Sequence, residues 1–172
     1  MVALIRGGVA LAGGVWADLG AGTGNFTWAL RDLLGPQGTI YALDRDRRAI
    51  ERQHAAIAQV GEPSATIVPL QADFTRSLDL PPLDGVLMAN ALHFVRDQPA
   101  ALALIAGYLR PGGRLLVVEY ELAEPRAWVP FPVPFERFQT LVAQAGLASP
   151  ALVGTRRSPS SGIGMYAGVA TK

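Results

Sequence analysis

From Val15 to Tyr120 the sequence alternates between short apolar runs and longer stretches with helical periodicity. That alternation limits the fold more than any other feature. A strand followed by a helix and another strand returns to the same sheet by a right-handed crossover. Repeated units therefore build a parallel sheet covered on both faces. The apolar runs 15–19, 39–43, 65–70, 85–89 and 114–120 read as buried strands. Between the first two, Phe26, Ala29, Leu30, Leu33 and Leu34 share one helical face, and Gly35-Pro36 stops the helix. A second helix is predicted from Asp46 to Val60, with Ala49, Ile50, Ala56, Ile57 and Val60 inward and Gly61-Glu-Pro63 as its stop. Residues 71–83, with Pro81-Pro82, read as a loop. Asp97 caps a third helix lined by Leu102, Ile105, Ala106 and Leu109, and Arg110-Pro-Gly-Gly113 ends it. After an irregular, Pro-rich stretch at 121–134, Pro134 opens a last helix that closes at Gly146. Runs at 147–155 and 165–170, joined through Ser158–Gly162, form a hairpin. The prediction is a three-layer α/β fold on a seven-stranded sheet, mostly parallel with one antiparallel strand. No repeat or linker divides residues 1–172, so one domain is expected.

Composition narrows the chemistry. The chain has no Cys and only two His, His54 and His93. Disulfides, thiolate metal sites, thiol nucleophiles and multi-His metal centres are thereby excluded, and no metal is expected. Fifteen basic and 14 acidic residues nearly cancel, so no nucleic-acid partner and no anionic membrane surface is expected. Met1 to Ala17 has the outline of an export signal, but Gly7-Gly8 and Gly13-Gly14 interrupt it and Arg6 lies inside the apolar run. No run reaches the ~18 apolar residues of a membrane span. A soluble, cytoplasmic protein is expected.

The polar residues gather where strands end, which in an open parallel sheet is where ligands bind. Asp18 closes the first strand, and Gly20-Ala-Gly-Thr-Gly24 follows it. Asp44 closes the second strand. Asp73 follows the third, Asn90 and His93 the fourth, and Glu119 and Tyr120 end the fifth. The glycines let the backbone turn tightly into a helix and approach a ligand. A dinucleotide fingerprint has its third glycine one residue later. A carboxylate at Asp18 would also repel a pyrophosphate and favour a cationic group. Both features count against a nicotinamide-dinucleotide oxidoreductase.

Asp18-Leu-Gly-Ala-Gly-Thr-Gly-Asn-Phe26 resembles the first motif of the class I S-adenosylmethionine-dependent methyltransferases. Ile40–Asp44, Gln71–Phe74, Asp84–Asn90 and Leu109–Leu115 resemble the family's later motifs, and residues 147–170 its terminal hairpin. The resemblance implies a Rossmann-like sheet and S-adenosylmethionine as cofactor. It implies that Asp18, Gly20, Gly22 and Asn90 hold the methionine part, with Ala21 and Asn25 in the same binding set. By the same resemblance Asp44 holds the ribose, Asp73 accepts from the adenine amino group, and Phe74 and Arg45 flank the ring.

In-line methyl transfer depends on positioning, and a base is needed only where the acceptor arrives protonated. His93 is either that base or a turn residue packed beside Phe94. Glu119 is either a second candidate or an ion-pair partner of an Arg such as Arg114. His54 reads as solvated. Trp128 and Phe131, on 121–134, read either as an apolar lid or as padding at the sheet edge. The expected activity is methyl transfer to O or N of a small or moderately hydrophobic acceptor. The alternative is a cofactor-binding subunit that acts as a structural or regulatory partner. Oligomeric state is not legible.

Overall fold

The structure, a computed structural model, describes residues 1–61 and 64–172. Its strands are β1 (Gly14–Leu19), β2 (Gly38–Asp44), β3 (Thr66–Gln71), β4 (Leu83–Ala89), β5 (Leu109–Tyr120), β6 (Ala148–Arg157) and β7 (Gly164–Thr171). They form one sheet in the order β3-β2-β1-β4-β5-β7-β6. Neighbours among β1 to β5 run parallel, while β7 is antiparallel to both β5 and β6. The order reverses direction at β1, so the loops after β1 and β4 open a crevice above their carboxyl ends.

The helices are α1 (Val2–Ile5), α2 (Asn25–Leu34), α3 (Arg47–Ile57), α4 (Gln98–Tyr108) and α5 (Phe135–Gln144). Strand side chains alternate between the two faces. Trp16, Ile40, Leu87, Leu116 and Val118 meet Leu4 and Ile5 of α1 and Phe26, Leu30 and Leu34 of α2. Ala17, Leu19, Val86, Met88, Leu115 and Val117 meet Leu102 and Ile105 of α4 and Phe138, Leu141 and Val142 of α5. Full burial of one such Leu or Phe contributes roughly 2–3 kcal/mol, so these two layers supply most of the driving force. The same alternation aims Asp18 at the α2 face and Glu119 at the α4–α5 face.

Two elements depart furthest from the expected limits. The second long helix begins where Asp46 caps it, its side chain accepting from the Arg48 N–H at 2.9 Å. It stops at Ile57, three residues short of Val60, which is 45% exposed. Its inner stripe is Ala49, Ile50 and Gln53, not the longer apolar row. The chain beyond must return to Thr66, which pairs with Thr39, so the last turn is given up to the connection. Of the expected stop Gly61-Glu-Pro63, Glu62 and Pro63 lie outside the described residues. The fifth strand starts at Leu109 instead of Arg114. The helix does end before Arg110-Pro-Gly-Gly113, but that stretch is drawn into the sheet edge. Leu109 pairs with Leu83, and Lys172 exchanges backbone hydrogen bonds with Gly112 and Gly113. Residues 72–82 hold neither helix nor strand, as expected. Among the described residues no helix is long and apolar enough to cross a membrane.

Candidate functional site

The loop from β1 to α2 is held in a conformation that only glycine adopts easily. Gly20, Gly22 and Gly24 have φ of +77°, +55° and +93°. At Gly20 a second constraint applies, because a Cβ there would lie 2.6 Å from that of Ala91. The loop is pinned to the next strand, since Gly20 and Ala21 both donate to the Leu43 carbonyl at 2.9 Å. Asp44 holds its middle through Oδ2, which accepts from the Gly22 N–H at 2.8 Å. Gln53 of α3 donates to the Gly22 carbonyl at 2.7 Å. The other Asp44 oxygen accepts from the Asp46 N–H at 2.8 Å. Each carboxylate oxygen has two acceptor positions, so Asp44 keeps capacity for a ligand.

Asp18 is 1% exposed. Its Oδ2 accepts from the Thr27 hydroxyl of α2 at 2.6 Å. Its Oδ1 is buried without a partner among the described residues. Burial pushes the Asp18 carboxyl up to about 7, against the pull of the Thr27 hydrogen bond, and nearby Asp44 adds to the rise. Asn90, at the tip of β4, sits at φ +54°, and its Oδ1 is also buried without a partner. A non-glycine residue in that region is strained, which marks the position as one set by the surrounding structure. Asp73 is held below the usual carboxylate range, first by the hydroxyl and N–H of Thr75, which donate to its Oδ1 at 2.7 and 3.0 Å. It therefore stays an acceptor at neutral pH. Phe74 beside it is half-buried, and Arg45 is exposed.

These groups surround one cleft of about 500 Å³. Asp18, Gly20, Ala21, Gly22, Asn25, Asp44, Arg45, Asp73, Phe74 and Asn90 all line it. Two buried acceptors without partners at one end call for a donor-rich, cationic group, because an unmet buried acceptor costs about 1–3 kcal/mol. Two further carboxylates and a flat Phe ring extend the row. The lining suits a long ligand with an ammonium, hydroxyls and an amino-bearing ring.

His93 and Glu119 are elsewhere. Both are buried, at 2% and 0% exposed, and neither lines the cleft. They pair with each other: His93 Nδ1 lies 2.5 Å from Glu119 Oε2, and the His93 N–H donates to Oε1 at 3.2 Å. Arg114, weighed as a partner for Glu119, donates to the Gly8 carbonyl instead. His93 follows the cleft-lining Asn90 and Ala91 on a 3-10 turn, Leu92–Phe94, and its ring centroid is 4.3 Å from that of Phe94. His54 is exposed, as expected. Sequence reasoning passed over Thr27 and Gln53. Each is a polar residue on the inward stripe of its helix, and that was the available signal.

The profile of a methyltransferase domain family matches residues 17–115. A ubiquinone/menaquinone biosynthesis C-methyltransferase from Pseudomonas fluorescens is 32% identical over 111 residues, covering 63% of this chain and 43% of that protein. The chain thus spans less than half the length of that relative. An S-adenosylmethionine-dependent methyltransferase from Aquifex aeolicus superposes with a TM-score of 0.75 at 17% identity, over 97% of this chain and 86% of that one. The 1,6-didemethyltoxoflavin-N1-methyltransferase of Burkholderia thailandensis superposes with a TM-score of 0.70 at 21% identity, over 94% and 72% of the two chains. At those identities the two structures speak for the fold alone.

Proposed function

The chain belongs to the methyltransferase domain family, and from that premise we propose that it moves a methyl group from S-adenosylmethionine to a small acceptor. The observation that carries the reading is the pair of buried, unpartnered acceptors, Asp18 Oδ1 and Asn90 Oδ1, on the wall of one cleft. The pyridinium nitrogen of a nicotinamide dinucleotide carries no hydrogen to donate to them, whereas the amino-acid end of S-adenosylmethionine is an ammonium with three N–H donors. Bound there, the cofactor supplies a methyl group on a positively charged sulfur. Asp18 and Asn90 hold the ammonium, and the glycine turn gives the chain close approach. Asp44 takes the ribose hydroxyls while it fixes Gly22. Asp73 accepts from the adenine amino group, with Phe74 and Arg45 against the ring.

An acceptor that arrives protonated loses that proton in the course of the reaction. The sequence pointed to oxygen or nitrogen as the accepting atom. The similar Pseudomonas fluorescens protein is named for C-methylation, and we take carbon, activated by a neighbouring hydroxyl, as the accepting atom. His93 is suited to receive that proton. Glu119 engages the ring through Nδ1, which leaves Nε2 as the nitrogen to receive it. The near-complete burial of His93 favours a second reading, in which the pair only braces the turn carrying Phe94. Turnover of His93→Ala separates the two. A loss on the order of a hundredfold fits a base, and a full rate fits a brace.

Calorimetric titration with S-adenosylhomocysteine, with NAD in parallel, tests the cofactor assignment. Micromolar binding of the first alone is expected. Binding of NAD alone, or of neither, refutes it.

A further inference from the structure

Six Phe, three Trp and four Tyr are present in the chain. Among the described residues only Phe94, Trp128 and Phe131 are exposed, at 56%, 42% and 37%. All three lie in one place. Phe94 lines the cleft and packs on His93. The His93 ring faces Tyr120 at 6.2 Å, and Tyr120 meets Trp128 edge-on at 4.8 Å. Phe131 donates its N–H to the His93 carbonyl at 3.0 Å. Ring contacts therefore run from Phe94 in the cleft through the buried His93 and half-buried Tyr120 to Trp128 outside it, and Phe131 is tied to the same turn through its backbone.

The segment 121–134 that carries two of these rings is firmly built. Val129 and Val133 are each 1% exposed, and Arg126 and Val129 bridge to form a tight turn around Trp128. Gln98, itself 4% exposed, donates to the Phe131 carbonyl at 2.9 Å. The buried Tyr166 hydroxyl donates to the Val133 carbonyl at 2.7 Å. The two rings are thus held out by a braced backbone. Ordering has already been met in the free protein, which is the condition under which a small contact surface binds well.

We propose that Phe94, Trp128 and Phe131 form the acceptor site, and that it takes a flat, uncharged aromatic ring. The inference rests on the methyl-transfer reading and adds the acceptor class to it. Aromatic faces select flat rings through offset or edge-on stacking, which a saturated ring of the same bulk cannot match. Continuity with the cleft favours a small acceptor over a protein partner. A protein interface has no need of a row that begins beside a cofactor.

The test uses 2-naphthol as probe, with decahydro-2-naphthol as its saturated counterpart. Binding of each is measured by calorimetry with S-adenosylhomocysteine already bound. Naphthol is expected to bind at least tenfold more tightly than the saturated alcohol. Trp128→Ala should weaken naphthol roughly tenfold and leave S-adenosylhomocysteine affinity unchanged. Trp128→Phe should keep naphthol binding within about threefold, the effect of retaining a stacking ring. Phe131→Ala gives a second reading of the same site. Equal binding of the two alcohols, or indifference of naphthol to both alanine variants, overturns the proposal while retained S-adenosylhomocysteine binding leaves the cofactor reading intact. Failure of S-adenosylhomocysteine itself to bind overturns both. Self-association in sedimentation that Trp128→Ala abolishes also overturns it, since the row is then a protein interface.

Discussion

Asp18 carries the sharpest consequence of burial. Its carboxyl is raised from 3.8 to about 7, so between those values the folded protein keeps a proton that the unfolded chain has released. The associated stability is fully present below 3.8 and is lost as pH rises through about 7. Urea unfolding from pH 4 to pH 8 should show wild-type stability falling relative to Asp18→Asn, by at most on the order of 4 kcal/mol. An identical pH profile for the two would remove the buried-proton argument. Ligand binding should run the other way. A bound ammonium favours the ionised carboxylate, so S-adenosylhomocysteine affinity should climb with pH toward 7, approaching tenfold per unit, and then level off. Asp18→Asn should bind weakly and with little pH dependence. Asp44 differs because its work is shared between ligand and loop. Asp44→Ala should weaken S-adenosylhomocysteine by more than roughly tenfold while the circular dichroism spectrum stays native. Undiminished affinity would sink the ribose role.

The β1–α2 loop is the element where backbone geometry and binding meet. Gly20→Ala combines left-handed strain with a clash against Ala91, whereas the region around a Gly22 Cβ is open. Gly22→Ala should therefore cost about 1–2 kcal/mol of unfolding free energy, and Gly20→Ala about 1–3 kcal/mol beyond that. Equal losses in denaturant titrations would contradict the packing at Ala91. This loop was legible in the sequence because glycine spacing and a strand-end Asp are local signals. The α2 helix was legible for the same reason: its stripe and its Gly35 stop lie within 25–35, and it spans Asn25–Leu34 as expected. The limits of α3 and β5 were not legible, because both are set by partners distant in sequence. Thr39 draws Thr66 into register, and Lys172 ties Gly112 and Gly113 to the sheet. The His93–Glu119 pair was missed in the same way. Each residue was singled out separately, but 26 positions part them and only strand alternation aims Glu119 at the His93 turn. Thr27 and Gln53 followed no motif at all. Their purpose appears only when Asp18 and the Gly22 carbonyl are seen beside them.

Across the whole molecule the two ends of the parallel strands divide the labour. The carboxyl ends carry unmet acceptors and positive-φ turns, features that cost stability and serve a ligand. The amino ends are closed by satisfied bonds. Asp84, near the start of β4, accepts from the Val15 N–H at 2.6 Å and from Arg110 at 2.7 Å, tying the heads of β1, β4 and β5. Lys172 at the chain terminus donates to the Leu109 carbonyl at 2.7 Å and fastens the hairpin to the same end. Arg110 is partly solvent-exposed and its ion pair is screened, so the backbone bond to Val15 carries more of the clamp. Asp84→Ala leaves the Val15 N–H unpaired and should lower unfolding free energy by about 1–3 kcal/mol. It should leave S-adenosylhomocysteine affinity within about twofold, since effects of well-separated groups without shared partners add nearly independently. Asp44→Ala is the contrasting case, with affinity lost beside a stability cost of similar order, about 1–3 kcal/mol, from the unpaired Gly22 N–H. Measuring both quantities for both variants checks the division directly. A variant at the amino ends that weakened binding as much as Asp44→Ala would mean that the two ends are coupled through the strands, and that the cleft is set by the sheet as a whole and not by the loops above it.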